Sequence, residues 1–440
     1  MESGTDPQIL VERGARQSAS TLTAPVFARQ APYRKKQSRR FLLAPTLLAI
    51  AIAGLIFYVQ YTSIQTLAPM TVTSPLCGEW HTYLMPASMP SSSSFSTVSV
   101  LSKDNAWFVG PGSFAHWDGK SLEMLPGPNV EADEVFINDA AFRSADDGWA
   151  VGAYAQEGES NRQSHLLSLH WDGNAWTSIP TPSLPSTSVG PYSENKGATL
   201  EAVTIISEND VWAVGSAPQE GTVKTLVLHW DGTKWEVVPS PNVGNSDNYL
   251  TSVVSLSESN VWAFGFRKVG VEAWENEALS LHWDGTSWKV IDSPTTLAEI
   301  SAASVSSSSG IWVVSVADNV MNPPPNGTSV LGSAIRESGD GWKEIPMPDI
   351  DDPILRSVVA ASADDVWAVG STGGKALVMH WDGKAWSEIP PPNPAGLQHL
   401  VDVGAAAKDD IWAVGWSSED EGEPVRQMLV HFVGCSSSTR

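Results

Sequence analysis

Beyond residue 77 the apolar positions of this chain fall in short runs of period two, separated by small clusters of Ser, Asn, Asp, Gly and Pro. One stretch shows the pattern in full. "LEAVTIIS" (200–207) is a β-branched run ending at the polar "END", and "VWAVGS" (211–216) follows it. "TLVLHW" (225–230) alternates as a third run. Asp231-Gly232 then marks a tight turn, because both residues tolerate positive φ, and "KWEVVP" (234–239) returns as a fourth run. Pro239 and Pro241 end it, since proline cannot continue a ladder. The pattern predicts four consecutive antiparallel strands, and nothing beyond residue 60 shows a period of 3.6.

The same unit recurs along the chain. "SENDVWAVGS" (207–216) has counterparts around Trp107, Trp149, Trp262, Trp312, Trp367 and Trp412, and most units then run to His-Trp-Asp-Gly. Four antiparallel strands repeated in this way predict an all-β fold, a seven-bladed β-propeller. First strands such as "SVVAAS" (357–362) and "DVGAAA" (402–407) are small enough for the crowded axis, while the tryptophans suit the widening space between blades. The last unit stops at "QMLVHF" (427–432) without a fourth strand, and "CGEWHTYLMP" (77–86) offers one at the other end. Trp80 is therefore expected in a shared closing blade, which removes two exposed sheet edges. Cys77 and Cys435, the only cysteines, flank this break and are expected to form a disulfide.

An uncharged run, "FLLAPTLLAIAIAGLIFYV" (41–59), precedes the repeats. At ~1.5 Å per residue it spans roughly 28 Å, close to the apolar thickness of a bilayer. "RKKQSRR" (34–40) stands before it and the uncharged "QYTSIQT" after it. The positive-inside rule then places the N-terminus in the cytoplasm and the repeats outside. The expected organisation is a basic cytoplasmic tail (1–40), a transmembrane helix anchored in the lipid bilayer (41–59), a linker (60–76), the propeller (77–435) and a short tail (436–440). Net charge over the chain is −23, while residues 1–40 carry eight Lys/Arg against three Asp/Glu. The remainder is therefore strongly acidic, which excludes a nucleic-acid partner because phosphate is repelled.

The units resemble the β-propeller repeat families, particularly the Asp-box (BNR) and kelch kinds of bacterial surfaces. "SADDGW" (144–149) is similar to the Asp-box Ser-x-Asp-x-Gly, with its Trp two residues early. "AIRESGDGW" (334–342) keeps Asp-Gly-Trp but loses His-Trp, and the first unit has Leu122 in place of a second Trp. Propellers host binding proteins and enzymes alike, so the resemblance implies architecture and no activity.

Repeated side chains build the scaffold, so function is sought where the units differ. His116, His170, His229, His282, His380 and His431 stand one per unit, too far apart to share a metal. They are expected to order the neighbouring turns, as are the aspartates of the "S-x-D-D" turns. No metal or cofactor is expected. The units differ in loops such as "TPSLPSTSVGPYSENKGAT" (181–199), "RKVGVEAWENEA" (267–278) and "SSEDEGEPVRQ" (417–427), all of which an up-and-down blade sends to one face. Tyr154, Tyr192, Tyr249, Trp274 and Trp416 lie there amid acidic residues, as candidates to stack on sugars or anchor a protein. The sequence thus points to non-catalytic recognition or scaffolding outside the cytoplasm, with a protein or a cell-wall glycan as ligand. The alternative is a sialidase-like or other propeller glycoside hydrolase or lyase. Arg143 and Arg356 near the axis leave room for it, but no tyrosine–glutamate pair stands beside them.

Overall fold

The computed structural model describes residues 70–74, 76–85, 95–156, 164–184, 197–270, 276–293, 298–306, 310–315, 334–337, 341–348, 350–351, 353–391, 396–419 and 425–435. Each unit folds as its alternation requires. In the third, Thr199–Ser207, Asp210–Gln219, Thr222–Trp230 and Trp235–Val237 pair in sequence order as an antiparallel meander. Five further sheets have this four-stranded form: the first blade (97–125), second (134–178), fourth (248–291), fifth (300–345) and sixth (353–388). The expectation of a seven-bladed propeller with a shared closing blade, preceded by one transmembrane helix, is corrected here. Six blades are four-stranded; the remaining sheet has five strands, drawn from both ends of the chain. No helix of the described residues is long and apolar enough to cross a membrane, and 41–59 lies outside them.

That closing sheet pairs Arg426–Gly434 with Gly78–Leu84, Trp80 opposite Phe432. Met70–Thr73 then adds as an outer strand that the repeat did not foretell. Cys77 and Cys435 are joined across the seam.

Tryptophans fill the spaces between neighbours. Trp212 of the third blade is buried, lies 4.3 Å from the His229 ring of its own blade and meets Trp283 and Trp288 of the fourth at 5.0 and 5.5 Å. Trp367 of the sixth meets Trp80 at 6.0 Å, so the N-terminal strand supplies the ring that a fourth strand supplies elsewhere. At the final seam Trp412 reaches Trp117 of the first blade at 5.3 Å.

The repeated polar residues hold the turns. Asp231 Oδ1 accepts the backbone N–H groups of Thr233 and Lys234, and Gly232 takes φ 90°. His229 Nε2 donates to Asp210 Oδ1 at 2.8 Å, and His116, His170, His282, His380 and His431 make the same bond to Asn105, Asp147, Asn260, Asp365 and Asp410. The histidines and the last Asp or Asn of these turns thus brace the scaffold.

Candidate functional site

The innermost strands, Thr97–Ser102, Glu134–Ser144, Thr199–Ser207, Asn248–Ser257, Ile300–Ser306, Pro353–Ser362 and Leu397–Ala407, neighbour one another in a closed ring around the axis. Six of them slip register by one residue near the start, as between Leu200 and Ala202. Such a bulge leaves one residue out of the ladder and re-aims its side chain. The second strand packs so closely there that a Cβ on Gly215 would sit 2.1 Å from the Thr199 carbonyl oxygen. The bulged residues, with Ser96 at the matching place in the first blade, line an axial cavity of ≈ 390 Å³.

Four of those residues tie one blade to the next. Ser96 donates to the Ile137 carbonyl, Asn138 to that of Leu200, Thr251 to that of Ile300 and Ser301 to that of Leu355, at 2.5, 2.8, 2.5 and 3.1 Å. Glu201, Arg356 and Val401 occupy the same place in the third blade, the sixth blade and the closing sheet. Glu201 takes a hydrogen bond from the Thr199 hydroxyl within its own strand, and burial raises its pKa. Arg356 is exposed to the cavity. Its charge, after burial, helps to hold the His399 imidazole below its usual pKa.

One position further on, Asp139 and Asp402 flank the first blade. Asp139 accepts the N–H groups of Val203 and Ala140 at 2.8 Å each and the Thr97 hydroxyl at 3.2 Å. Asp402 accepts the Val98 N–H at 2.8 Å and the Ser357 hydroxyl at 2.6 Å. Both are enclosed by protein, with one side open to the cavity. Burial, then the charge of Asp402, push the Asp139 carboxyl up to about 7 against the pull of its hydrogen bonds, and burial raises Asp402 as well. These carboxylates are aimed at backbone donors of adjoining blades, so they lace the ring together.

Of the aromatic candidates, Tyr154, Tyr249 and Trp416 lie on strand ends at the long-loop face, half-buried. Each is committed to a cross-strand ring: Tyr154 stacks on His165 at 5.2 Å, Tyr249 on Phe266 at 4.8 Å and Trp416 on His399 at 4.3 Å. Tyr192 and Trp274 lie outside the described residues. Phe136, at the start of the second blade's inner strand, is 48% exposed and was missed by the sequence reading. The two axial arginines part company. Arg143 Nε donates to Asp147 Oδ2 at 2.7 Å beside a turn of the short-turn face, while Arg356 faces the cavity.

Glu201, Asp139 and Asp402 were also missed. A signal was present: "IND", "LEA", "LTS", "ISA", "LRS" and "LVD" align at 137, 200, 250, 300, 355 and 400, and charged residues stand out at the second place (Glu201, Arg356) and the third (Asp139, Asp402).

The class that this geometry defines is the β-propeller. No protein-family model matches the chain, and no curated protein matches it. Among solved structures, virginiamycin B lyase from Staphylococcus aureus is similar with a TM-score of 0.51 at 12% identity, covering 80% of this chain and 99% of that one. "YCF48 bound to D1 peptide" is similar with a TM-score of 0.49 at 13% identity, covering 84% and 98%. At such identities the likeness shows the fold alone, and the fold is compatible with a ligand-binding or scaffold role.

Proposed function

We propose that this chain is a membrane-anchored recognition protein that acts outside the cytoplasm and holds a protein or cell-wall glycan on its long-loop face, without catalysing a reaction. The turns are read as Asp-box or kelch-like, on the residues of 144–149. One observation carries the reading: the two faces of the ring differ in kind. One face is closed by short, repeated turns braced by Asp–amide and His–Asp bonds. The other carries the strand ends between which the unlike segments of sequence run, with the exposed Phe136 and the stacked pairs Tyr249–Phe266 and His399–Trp416. Variable segments on a rigid ring favour binding because the scaffold is ordered in advance. The paired axial aspartates, Asp139 and Asp402, are occupied in lacing the blades, which favours a binding role over an acid–base pair.

The full chain in detergent, probed on protein and glycan arrays, tests the reading. A partner retained by a Lys120→Ser variant on the short-turn face, and lost by Phe136→Ser, supports it. A partner lost in the reverse pattern, or a specific cleavage product released from a glycan, overturns it. For the anchor, a reporter fused after residue 70 should be active only outside the cytoplasm.

A further inference from the structure

The column of bulged residues carries one anion and one cation, and their positions in the ring are informative. From the inner strand of Glu201 to that of Arg356 there are three steps one way around the ring and four the other. Glu201 and Arg356 therefore face each other across the axis at one level, each at the register place where a bulge turns the side chain out of the ladder. No ion pair joins them, and Arg356 takes no other described residue as a hydrogen-bond partner. On one arc between them the wall is made of hydroxyl and small apolar groups, including Thr251, Ser301 and Ala302; on the other it carries Asp139 and Asp402, whose oxygens are taken by N–H and hydroxyl donors of the ring. An acid and a base on opposite walls of one cavity, neither of them tied into a seam between blades, form a dipolar receptacle.

We propose that the axial cavity binds a small zwitterion, an amino acid or a short peptide, with its carboxylate on Arg356 and its ammonium on Glu201. A guanidinium presents a planar fork of donors that fits a carboxylate in two parallel bonds. A carboxylate on the far wall accepts from an ammonium, which needs only a point acceptor. The cavity volume of ≈ 390 Å³ lies within the ~300–1,000 Å³ range of small-molecule sites. A simple anion would satisfy Arg356 and leave Glu201 facing it unpaired; a simple cation would do the reverse. The occupant that meets both walls carries both charges, and the span between the walls selects its length. This site lies in the ring itself and does not depend on what the long-loop face holds, so either reading can fail alone.

The test uses the full chain in detergent, titrated calorimetrically with glycine, diglycine and triglycine at millimolar concentration. The probes differ in the distance between ammonium and carboxylate. N-acetyldiglycine supplies the anion alone and diglycine amide the cation alone. At least one of the three zwitterions should bind saturably, and both blocked compounds should bind at least ~10-fold more weakly, as the loss of one charge-assisted contact requires. Arg356→Gln and Glu201→Gln should each weaken the best zwitterion by about the same factor. The blocked compounds test the site on the unaltered chain, so the outcome does not hang on either variant folding. The proposal is overturned if no zwitterion binds, if a blocked compound binds as tightly as the best zwitterion, or if both variants bind it unchanged.

Discussion

Replacing Asp139 by Asn should change how the stability of the propeller depends on pH. In the folded chain this carboxyl titrates at about 7, because burial and the charge of Asp402 outweigh three hydrogen bonds. In the unfolded chain it returns to the ordinary range near 3.8. The sign follows from proton linkage. Between those two values the folded state binds the extra proton, so the stability it confers is complete below about pH 4 and is lost as pH rises through 7. From pH 5 to pH 8 the full effect is roughly 2.7 kcal/mol, two pH units at ~1.36 kcal/mol each. One side of Asp139 fronts the cavity, where water screens the charge, so about 2 kcal/mol is the expected size. For a ring of this length that corresponds to ~3 °C in melting temperature.

Other groups titrate in the same window with opposite sign. Burial lowers the pKa of His116, His399 and His431, so their contribution is present above pH 6.5 and lost on acidification. The informative quantity is therefore the difference between Asp139→Asn and the unaltered chain, followed by tryptophan fluorescence melting from pH 5 to pH 8. An amide keeps an acceptor for the Val203 N–H but cannot ionise. The variant should gain on the parent as pH rises, by about 3 °C over the range. A difference flat across pH would refute the raised pKa of Asp139 and the burial and Asp402 repulsion given as its causes.

Three further outcomes are expected. Cys77→Ser should lower the melting temperature under non-reducing conditions by opening a closed loop of 358 residues, worth up to ~5–6 kcal/mol in the chain-entropy model, and a reductant should then have no further effect. Trp212→Ala should cost ~3–5 kcal/mol in chemical denaturation because its ring is buried against two tryptophans of the next blade. Trp416→Ala removes one stack on His399 from a half-buried position and should cost only ~0.5–1.5 kcal/mol; equal costs for the two tryptophans would contradict the packing described.

The blades were legible because period-two alternation, Asp-Gly turns and a marker tryptophan all state the same geometry. The closing sheet was legible from two half-motifs, and its disulfide from two cysteines beside them. Met70–Thr73 was not: "MTVT" has no counterpart in the repeat, and its pairing with Gly78–Leu84 is a feature of the seam alone. The axial site was hidden for a different reason. Alternation assigns residues to two faces of a strand and cannot locate a one-residue bulge, yet the bulge decides that Glu201 and Arg356 point at the axis. Of the aromatic candidates, Tyr154, Tyr249 and Trp416 stand at strand ends, and cross-strand partners such as His165 and Phe266 only appear once the register is known.

The bulged column also shows how scaffold and site compete for one position. A small hydroxyl or amide there joins two blades, each such bond contributing ~0.5–1.5 kcal/mol, and Glu201, Arg356 and Val401 forgo it. The seams they leave are bridged by other groups. Thr204 and Ser255 hydroxyls join the third and fourth blades at 3.0 Å, and the Val223 N–H donates to Asp247 at 2.8 Å. Ser357 donates to Asp402 between the sixth blade and the closing sheet, and the Val98 N–H donates to Asp402 between that sheet and the first blade. With the ring already laced at those three seams, its architecture does not require a charge at 201 or 356. A buried-edge carboxylate and an unpaired guanidinium are costly residues to place on an axis that Ser or Thr serves elsewhere. Two such residues, opposite in sign and opposite in position, are accounted for by a ligand that meets both.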